Sequence, residues 1–497
     1  MQLKNADRTL SLAVAVAFSV LIASLILRPV WRDEYWALYF SAPDLPLRDA
    51  MEQRMVRDVH PPFYFILLHF WRAASQSELW ARLFNLVALG AGGACVWLLG
   101  RKRGRETALF LVLCAGSYWA IFFGAEARMY ALVFAACAVA LYAARVALEA
   151  EAARERGVGF AAFVAAGAVA AGSHYFGGLW IASLGLCLGI AFLGRRRFGA
   201  FAIAGLSSVI ALAPTAAWIL HASPETKPGA EGDILPLGEA FGYAANQFLR
   251  GLVVKTFGSN LPAFAAAFLA VPALARRRDA FDAVALGAVV LTVVIAFAVH
   301  LFALPLIKER AFIVIMPAVI FLCVRGLQSL TPDQPRALRL AALVPAAALI
   351  TPFLFTSEYF KDREQLVTVR KLIAQSGQCA GAPVLTYFRP SAQAQDFHPF
   401  MLGMALKGSA AGGGDVTLID ASKDRVPTWA PGCRLRAVAL VLGKGETPMH
   451  AEARRVLKAA GAPLENWEER RLGKGRSLVW LAPAAAPSAA LPAQPAH

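Results

Sequence analysis

Over the first 356 residues, long apolar runs alternate with short charged ones. The runs lie near residues 9–28, 79–100, 107–124, 129–148, 158–174, 177–194, 198–220, 257–275, 281–300, 311–325 and 339–356. Most are close to the roughly 20 residues that carry a helix across a bilayer. About eleven crossings are therefore predicted, with boundaries good to roughly two to four residues. The stretch from His60 to Trp71 is apolar too, but it is short and opens with Pro61-Pro62. It is predicted to be an interfacial or re-entrant helix. The first run follows Lys4 and Arg8, as a signal peptide would, but its length and the further spans predict a retained anchor.

The polar segments between the runs are of two kinds. Basic ones are Arg101-Lys102-Arg103-Gly104-Arg105, the mixed stretch Glu149 to Arg156, Arg195-Arg196-Arg197, Arg276-Arg277-Arg278, and Arg325 through Arg339. Loops rich in Lys and Arg stay inside, which puts all five on one face together with the N-terminus. The other face then receives Asp33-Glu34, Asp58-Val59-His60, Glu126-Ala127-Arg128, His174-Tyr175, the long loop from His221 to Phe257, and Lys308-Glu309-Arg310. One face carries the bulk charge and the other the candidate chemistry.

After Tyr359 the apolar runs become short, at Pro383 to Tyr387, Val416 to Ile419, Ala437 to Leu442 and Ser477 to Leu481. Each predicts a strand, with helices near Arg363 to Ala374 and His450 to Ala460. The expected organisation is an all-α polytopic membrane region over 1–356, with a first outer loop at 29–78. A soluble α/β or α+β domain over 357–483 follows on the outer face, then a disordered Ala/Pro-rich tail over 484–497.

Composition fits this pattern and excludes others. The 497 residues are 58% hydrophobic and only 16% charged, with a mean hydropathy of +0.54, which no ordinary soluble domain shows. The net charge of +16 resides largely in the basic runs. That suits loops facing anionic lipid and gives no reason to expect nucleic acid as a partner. Cys95, Cys114, Cys137, Cys187 and Cys323 lie in apolar runs as small hydrophobes, while Cys379 and Cys433 share the outer domain, where pairing is permitted.

Asp33 and Glu34 follow the first span between Trp31 and Trp36. They read either as a solvated pair in an interfacial aromatic belt or as acids held for proton transfer, with Arg32 keeping them ionised. Asp58 and His60 place a second acid and an imidazole just before the short helix, whose N-terminus favours anions. His60 alone would suit a satisfied interfacial histidine. Arg128 in Glu126-Ala127-Arg128-Met129-Tyr130 is suited either to gripping a phosphate or to an ion pair with Glu126 that locks the turn. His174-Tyr175-Phe176-Gly177-Gly178 is a tight turn with glycines for close backbone approach. Lys308 and Arg310 add cations to the same face, with snorkelling the simpler reading for Lys308. No Walker-type phosphate loop or zinc-like Cys/His spacing occurs.

Asp33-Glu34 after the first span, Asp58-Val59-His60-Pro61-Pro62 before a short aromatic helix, and Glu126-Ala127-Arg128-Met129-Tyr130-Ala131-Leu132 together resemble the GT-C glycosyltransferases. The resemblance is to the protein-mannosyltransferase-like glycosyltransferase family 39, with the lipid A aminoarabinose transferases as cousins, and covers roughly Met1 to Phe355. It implies a membrane enzyme of the bacterial inner membrane that moves a sugar from a polyprenyl-phosphate carrier to a lipid, glycan or protein acceptor on the periplasmic face. Asp33 would be the general base, with Glu34 beside it. Asp58, His60, Glu126, Arg128, Tyr130, His174, Tyr175, Lys308 and Arg310 would bind substrate, Arg128 taking the carrier phosphate. The resemblance implies no definite cofactor, and metal dependence stays open, since the acids suit a divalent metal but do not require one. This chain has Phe63-Tyr64 where the family's proline pair is often followed by an aliphatic residue. The competing reading is a transporter or flippase of lipid-linked sugars, for which inverted repeats and midplane charges would be expected. The face assignment is testable: a cysteine placed near Gly104 should resist an impermeant thiol reagent in intact cells, and its labelling would overturn the assignment.

Overall fold

The computed structural model describes residues 30–222, 236–250, 279–302 and 307–330, a few residues between 15 and 28, and separate stretches between 368 and 481. The chain divides into two compact units. One comprises Met1–Arg28 with Phe40–Phe355, the other Pro29–Tyr39 with Thr356–His497.

Helices of the described part of the chain before residue 331 are α1 (Arg32–Phe40), α2 (Leu47–Gln53), α3 (Phe63–Arg72), α4 (Glu78–Gly100), α5 (Gly104–Ala115), α6 (Tyr118–Gly124), α7 (Tyr130–Glu149), α8 (Ala153–Ser173), α9 (Tyr175–Gly194), α10 (Phe198–His221), α11 (Leu237–Leu249), α12 (Ala280–Phe302) and α13 (Met316–Leu330). Among the described residues, 6 helical stretches are long and apolar enough to cross a membrane. The polytopic helical architecture expected from the sequence is the one observed. The predicted spans at 257–275 and 339–356, and most of the one at 9–28, lie outside the described residues.

Two predicted spans are built differently from expectation. The run at 107–124 is broken, because α5 ends at Gly116 and Ser117 then caps α6 by accepting from Ala120 N at 3.2 Å. The run at 311–325 begins as a 3₁₀ segment, Glu309–Ile315, and turns α-helical only at Met316, with Pro317 in the first turn where its missing N–H costs nothing. The long loop from His221 also contains a helix, α11, which the sequence reading left as loop. By contrast, α3 is 10 residues long and stops short of spanning length, as predicted. Trp71 and Trp80 close the corner between α3 and α4. Their rings stack at 4.6 Å, and each indole N–H donates to the other residue's carbonyl, at 2.7 and 2.8 Å.

The middle of the unit is α7, whose apolar window is 89% buried, against 28% for α10. Its alanine-rich sequence lets neighbours approach to backbone distance, the usual device where lipid removes the hydrophobic incentive between helices. A Cβ at Gly92 would fall 2.6 Å from the Ala135 Cβ, and one at Gly159 would fall 2.6 Å from the Ala147 nitrogen. Glycine is the residue these two crossings of α7 accommodate.

The charged ends of these helices converge. Arg325 donates to Asp282 at 2.8 and 3.1 Å, to Asp279 at 2.5 Å and to Glu106 at 3.0 Å. Glu106 also takes Arg145, which reaches Glu149 at 3.1 Å, and Arg103 joins Glu149 at 2.9 Å. Lys102 pairs with Glu155 at 2.7 Å, and Arg195 donates to the Leu148 carbonyl at 3.0 Å. Segments that the sequence assigned to one membrane face thus meet at one end of the bundle.

In the second unit, five strands form a sheet in the order β2-β1-β3-β5-β4. β1 (Val384–Phe388) runs parallel to β2 (Leu418–Asp420) and β3 (Arg436–Leu440). β5 (Ser477–Leu481) is antiparallel to β3 and to β4 (Glu468–Leu472). Four of these were expected. β4, of sequence Glu-Glu-Arg-Arg-Leu, was not, because a charged edge strand has no apolar run to show. Helices among the described residues that follow β1 are α14 (Phe397–Leu406) and α15 (Glu446–Ala459). Ala453 and Leu457 of α15 pack with Leu385, Tyr387 and Trp467 into the domain core. Cys379 and Cys433 lie outside the described residues.

Removing one member of a buried charge network leaves its partners uncompensated, at a cost of about 3–5 kcal/mol. Arg325→Leu should therefore lower the thermal stability of the detergent-purified protein strongly. An unchanged melting temperature would show that the network carries no stability.

Candidate functional site

In the first unit the predicted residues gather around two turns. One is the segment Asp58-Val59-His60 before α3. Asp58 is buried, and its Oδ1 accepts both the His60 backbone N–H at 3.1 Å and the His60 Nδ1–H at 2.9 Å. The other Asp58 oxygen lies 4.0 Å from Arg128 Nη1. The second turn joins α8 to α9 without a linker. His174 is extended there (φ −159°, ψ 133°) and caps α9, its Nδ1 accepting from Phe176 N at 3.1 Å. The adjacent Gly177 sits directly on the Ala170 backbone, the close approach its sequence suggested.

The histidine rings face each other with centroids 4.9 Å apart. Tyr130 at the start of α7 lies 5.9 Å from the His174 ring, and Arg310 stands over the Tyr130 ring at 5.7 Å. Tyr175 lies near enough to Asp58 to feel its charge. Asp58, His60, Arg128, Tyr130, His174, Tyr175 and Arg310 are thus brought together. Lys308, two residues from Arg310, is exposed, in keeping with the simpler reading of that side chain.

Electrostatics set the protonation of this cluster. Burial pushes the His60 imidazole below its ordinary value, Asp58 pulls it back, and the charges of Arg128 and Arg310 push it down again. The result is a neutral ring. His174 is driven further down by burial, by His60 and by both arginines. For Asp58, burial raises the carboxyl, but His60 and Arg128 outweigh it and hold the group ionised. The Nδ1 partners then fix the tautomers. With Nδ1 donating to Asp58, His60 keeps an acceptor at Nε2; with Nδ1 accepting from Phe176, His174 carries its proton on Nε2 and donates there.

The turn bearing Arg128 is held by residues the sequence reading passed over. Asn85, in the first half of α4, is fully buried. Its amide donates to the Glu126 and Arg128 carbonyls, the latter at 3.1 Å, while its Oδ1 accepts from Tyr64 of α3 at 3.3 Å. Glu126 pairs with Arg28 at 2.9 Å, and Arg28 also donates to the Phe122 carbonyl at 2.6 Å. Arg82 caps the end of the first span through the Leu25 and Arg28 carbonyls, at 3.0 and 2.7 Å. The signal was present: a buried arginine and asparagine inside an apolar run are costly and rarely idle.

Asp33 and Glu34 belong to the second unit. Glu34 is the third residue of α1 and is buried. Its carboxylate reaches back to the Trp31 backbone N–H at 3.3 Å, half of a capping box. Asp33 is half-buried. Among the described residues no group of three or more His, Cys, Asp or Glu side chains is placed to hold a metal ion.

No protein-family model matches the chain, and no curated protein matches its sequence. Solved structures do. The chain is similar to ArnT from Cupriavidus metallidurans in the apo state, with a TM-score of 0.61 at 14% identity over 96% of this chain and 98% of that one. It is equally similar to the same protein bound to undecaprenyl phosphate, with a TM-score of 0.59 at 14% identity over 95% and 97% of the two chains. The likeness shows that the chain shares the fold of that protein.

The lowered His60 and His174 values carry a sign. A histidine that the fold keeps neutral contributes stability above the unfolded pKa of about 6.5, and that contribution is lost as pH falls through the lowered value. The ionised Asp58 acts in the same direction, its contribution vanishing at still lower pH. Thermal stability should therefore fall on acidification below about pH 6.5, and His174→Gln should flatten that slope. An identical slope in the variant would remove His174 from the account.

Proposed function

We propose that this chain is a membrane glycosyltransferase that moves a sugar from a polyprenyl-phosphate carrier to an acceptor hydroxyl. The observation that carries the reading is the cluster of Arg128, Arg310 and two neutral histidines beside Asp58, on a fold shared with a protein solved in complex with undecaprenyl phosphate. When the sugar leaves its carrier, negative charge grows on the phosphate. Guanidinium groups stabilise that charge in a fork of donors, and a buried site makes each of them count for more than in water.

Arg128 takes the carrier phosphate, Arg310 assists, and His174 offers a neutral N–H donor. Asp33 accepts the proton of the attacking hydroxyl. Attack by the acceptor in a single displacement inverts the anomeric carbon. The carrier is undecaprenyl phosphate or a close relative, the sugar a hexose or pentose, and the acceptor a lipid, glycan or protein. The enzyme sits in a bacterial inner membrane, with the domain over 357–483 and the cluster on the periplasmic face.

Asp33→Asn should reduce transfer by about 10²- to 10⁴-fold, the usual worth of a general base, without loss of folded protein. Arg128→Ala should weaken undecaprenyl phosphate binding by roughly tenfold to hundredfold. The measurements are product formation in the envelope of cells complemented with each variant, and carrier binding to purified protein. Full transfer by Asp33→Asn would remove the base, and unchanged affinity in Arg128→Ala would leave that residue a structural role only.

A further inference from the structure

Asp33 is grouped with the C-terminal domain, and ring contacts join its helix to that domain. Trp36 of α1 and Phe397 at the start of α14 lie face to face, centroids 3.4 Å apart and planes within 6°. Tyr39 meets the same Phe397 edge-on at 5.9 Å and Phe400 at 5.5 Å. Phe397 is fully buried and Tyr39 nearly so. Residues three apart share a helix face, and helical side chains lean toward the N-terminus. Phe397 therefore braces the face of α1 that carries Asp33, one turn away.

The brace answers a physical need. α1 has only 9 residues, and isolated helices below about 12–15 residues are marginal in water. A general base, in contrast, must be held within about 0.5 Å of its working position. The Glu34 cap fixes where α1 begins, but a cap does not fix the rotation of the helix about its axis. A flat ring stacked on Trp36 does.

We propose that the C-terminal domain is the holder of the base, with Phe397 a positioning residue that acts through Trp36 to aim the Asp33 carboxylate. The proposal rests on the reading of Asp33 as general base. It gives the C-terminal domain a part in the reaction that needs no substrate contact of its own.

The test uses the full-length protein, in cells lacking the chain and purified in detergent. Phe397→Ala should lower the envelope product by on the order of tenfold to hundredfold, the effect of misplacing a reacting group by about 1 Å. Phe397→Tyr, which keeps the stack, should restore it. Backbone amide exchange over residues 31–40 should speed up in Phe397→Ala, while affinity for undecaprenyl phosphate, a property of the first unit, should not change. Trp36→Ala combined with Phe397→Ala should lose no more than either alone, because both remove one brace; additive losses would overturn the proposal. Wild-type transfer by Phe397→Ala would also overturn it. The parent reading fails separately: if Asp33→Asn transfers normally, the base is misassigned, whereas an inactive Asp33→Asn beside a fully active Phe397→Ala rejects only the positioning role.

Discussion

The candidate site depends on a single buried amide. Asn85 holds the Glu126 and Arg128 carbonyls together from one side and is itself held by the Tyr64 hydroxyl from the other. Three segments far apart in sequence (the short helix α3, the span α4 and the turn before α7) meet on the two polar atoms of one side chain. A backbone turn in an apolar setting must have its carbonyls satisfied, and water is scarce there. Asn85 meets that requirement and thereby sets where the Arg128 side chain starts. The ion pair once conceivable between Glu126 and Arg128 is not needed for this, since Glu126 is engaged by Arg28 and the turn by Asn85.

The two ends of the helical unit use charge in opposite ways. At the basic end, Arg325, Arg145, Glu106 and Asp282 neutralise one another at contact distance, so their burial serves to register four helices. At the other end, histidines that could have carried charge are kept neutral by burial and by the nearby arginines. Neutral rings supply hydrogen-bond direction without adding further positive charge beside the guanidinium groups. The contrast follows from desolvation, which favours a complete pair or a neutral group and penalises anything between.

Much of this was legible in the chain. Alternation of apolar runs and basic loops yields most of the long helices seen among the described residues, and the network joining Arg103, Glu106, Glu149, Asp282 and Arg325 gathers segments assigned to one face at one end of the bundle. The acids, histidines and arginines of the cluster stood out because ionisable residues at the edge of a span are costly. The breaks were less visible. Ser117 capping α6 inside an apolar run, and the 3₁₀ course of Glu309–Ile315, are local hydrogen-bond choices that hydropathy averages away. The capping contact of Glu34 was also hidden. Adjacent acids look equivalent on paper, and only the helix start at Arg32 makes one of them a cap.

The corner at Trp71 and Trp80 bears on how such a protein tolerates its surroundings. Tryptophans at a membrane boundary commonly lend their indole N–H to water or to lipid headgroups. Here each N–H is committed to the opposite residue's carbonyl, closing a ring of two hydrogen bonds around a stacked pair. The corner between α3 and α4 is therefore fastened by groups the protein supplies for itself. Changes in leaflet composition, headgroup charge or hydration can proceed around that corner without competing for the hydrogen bonds that close it.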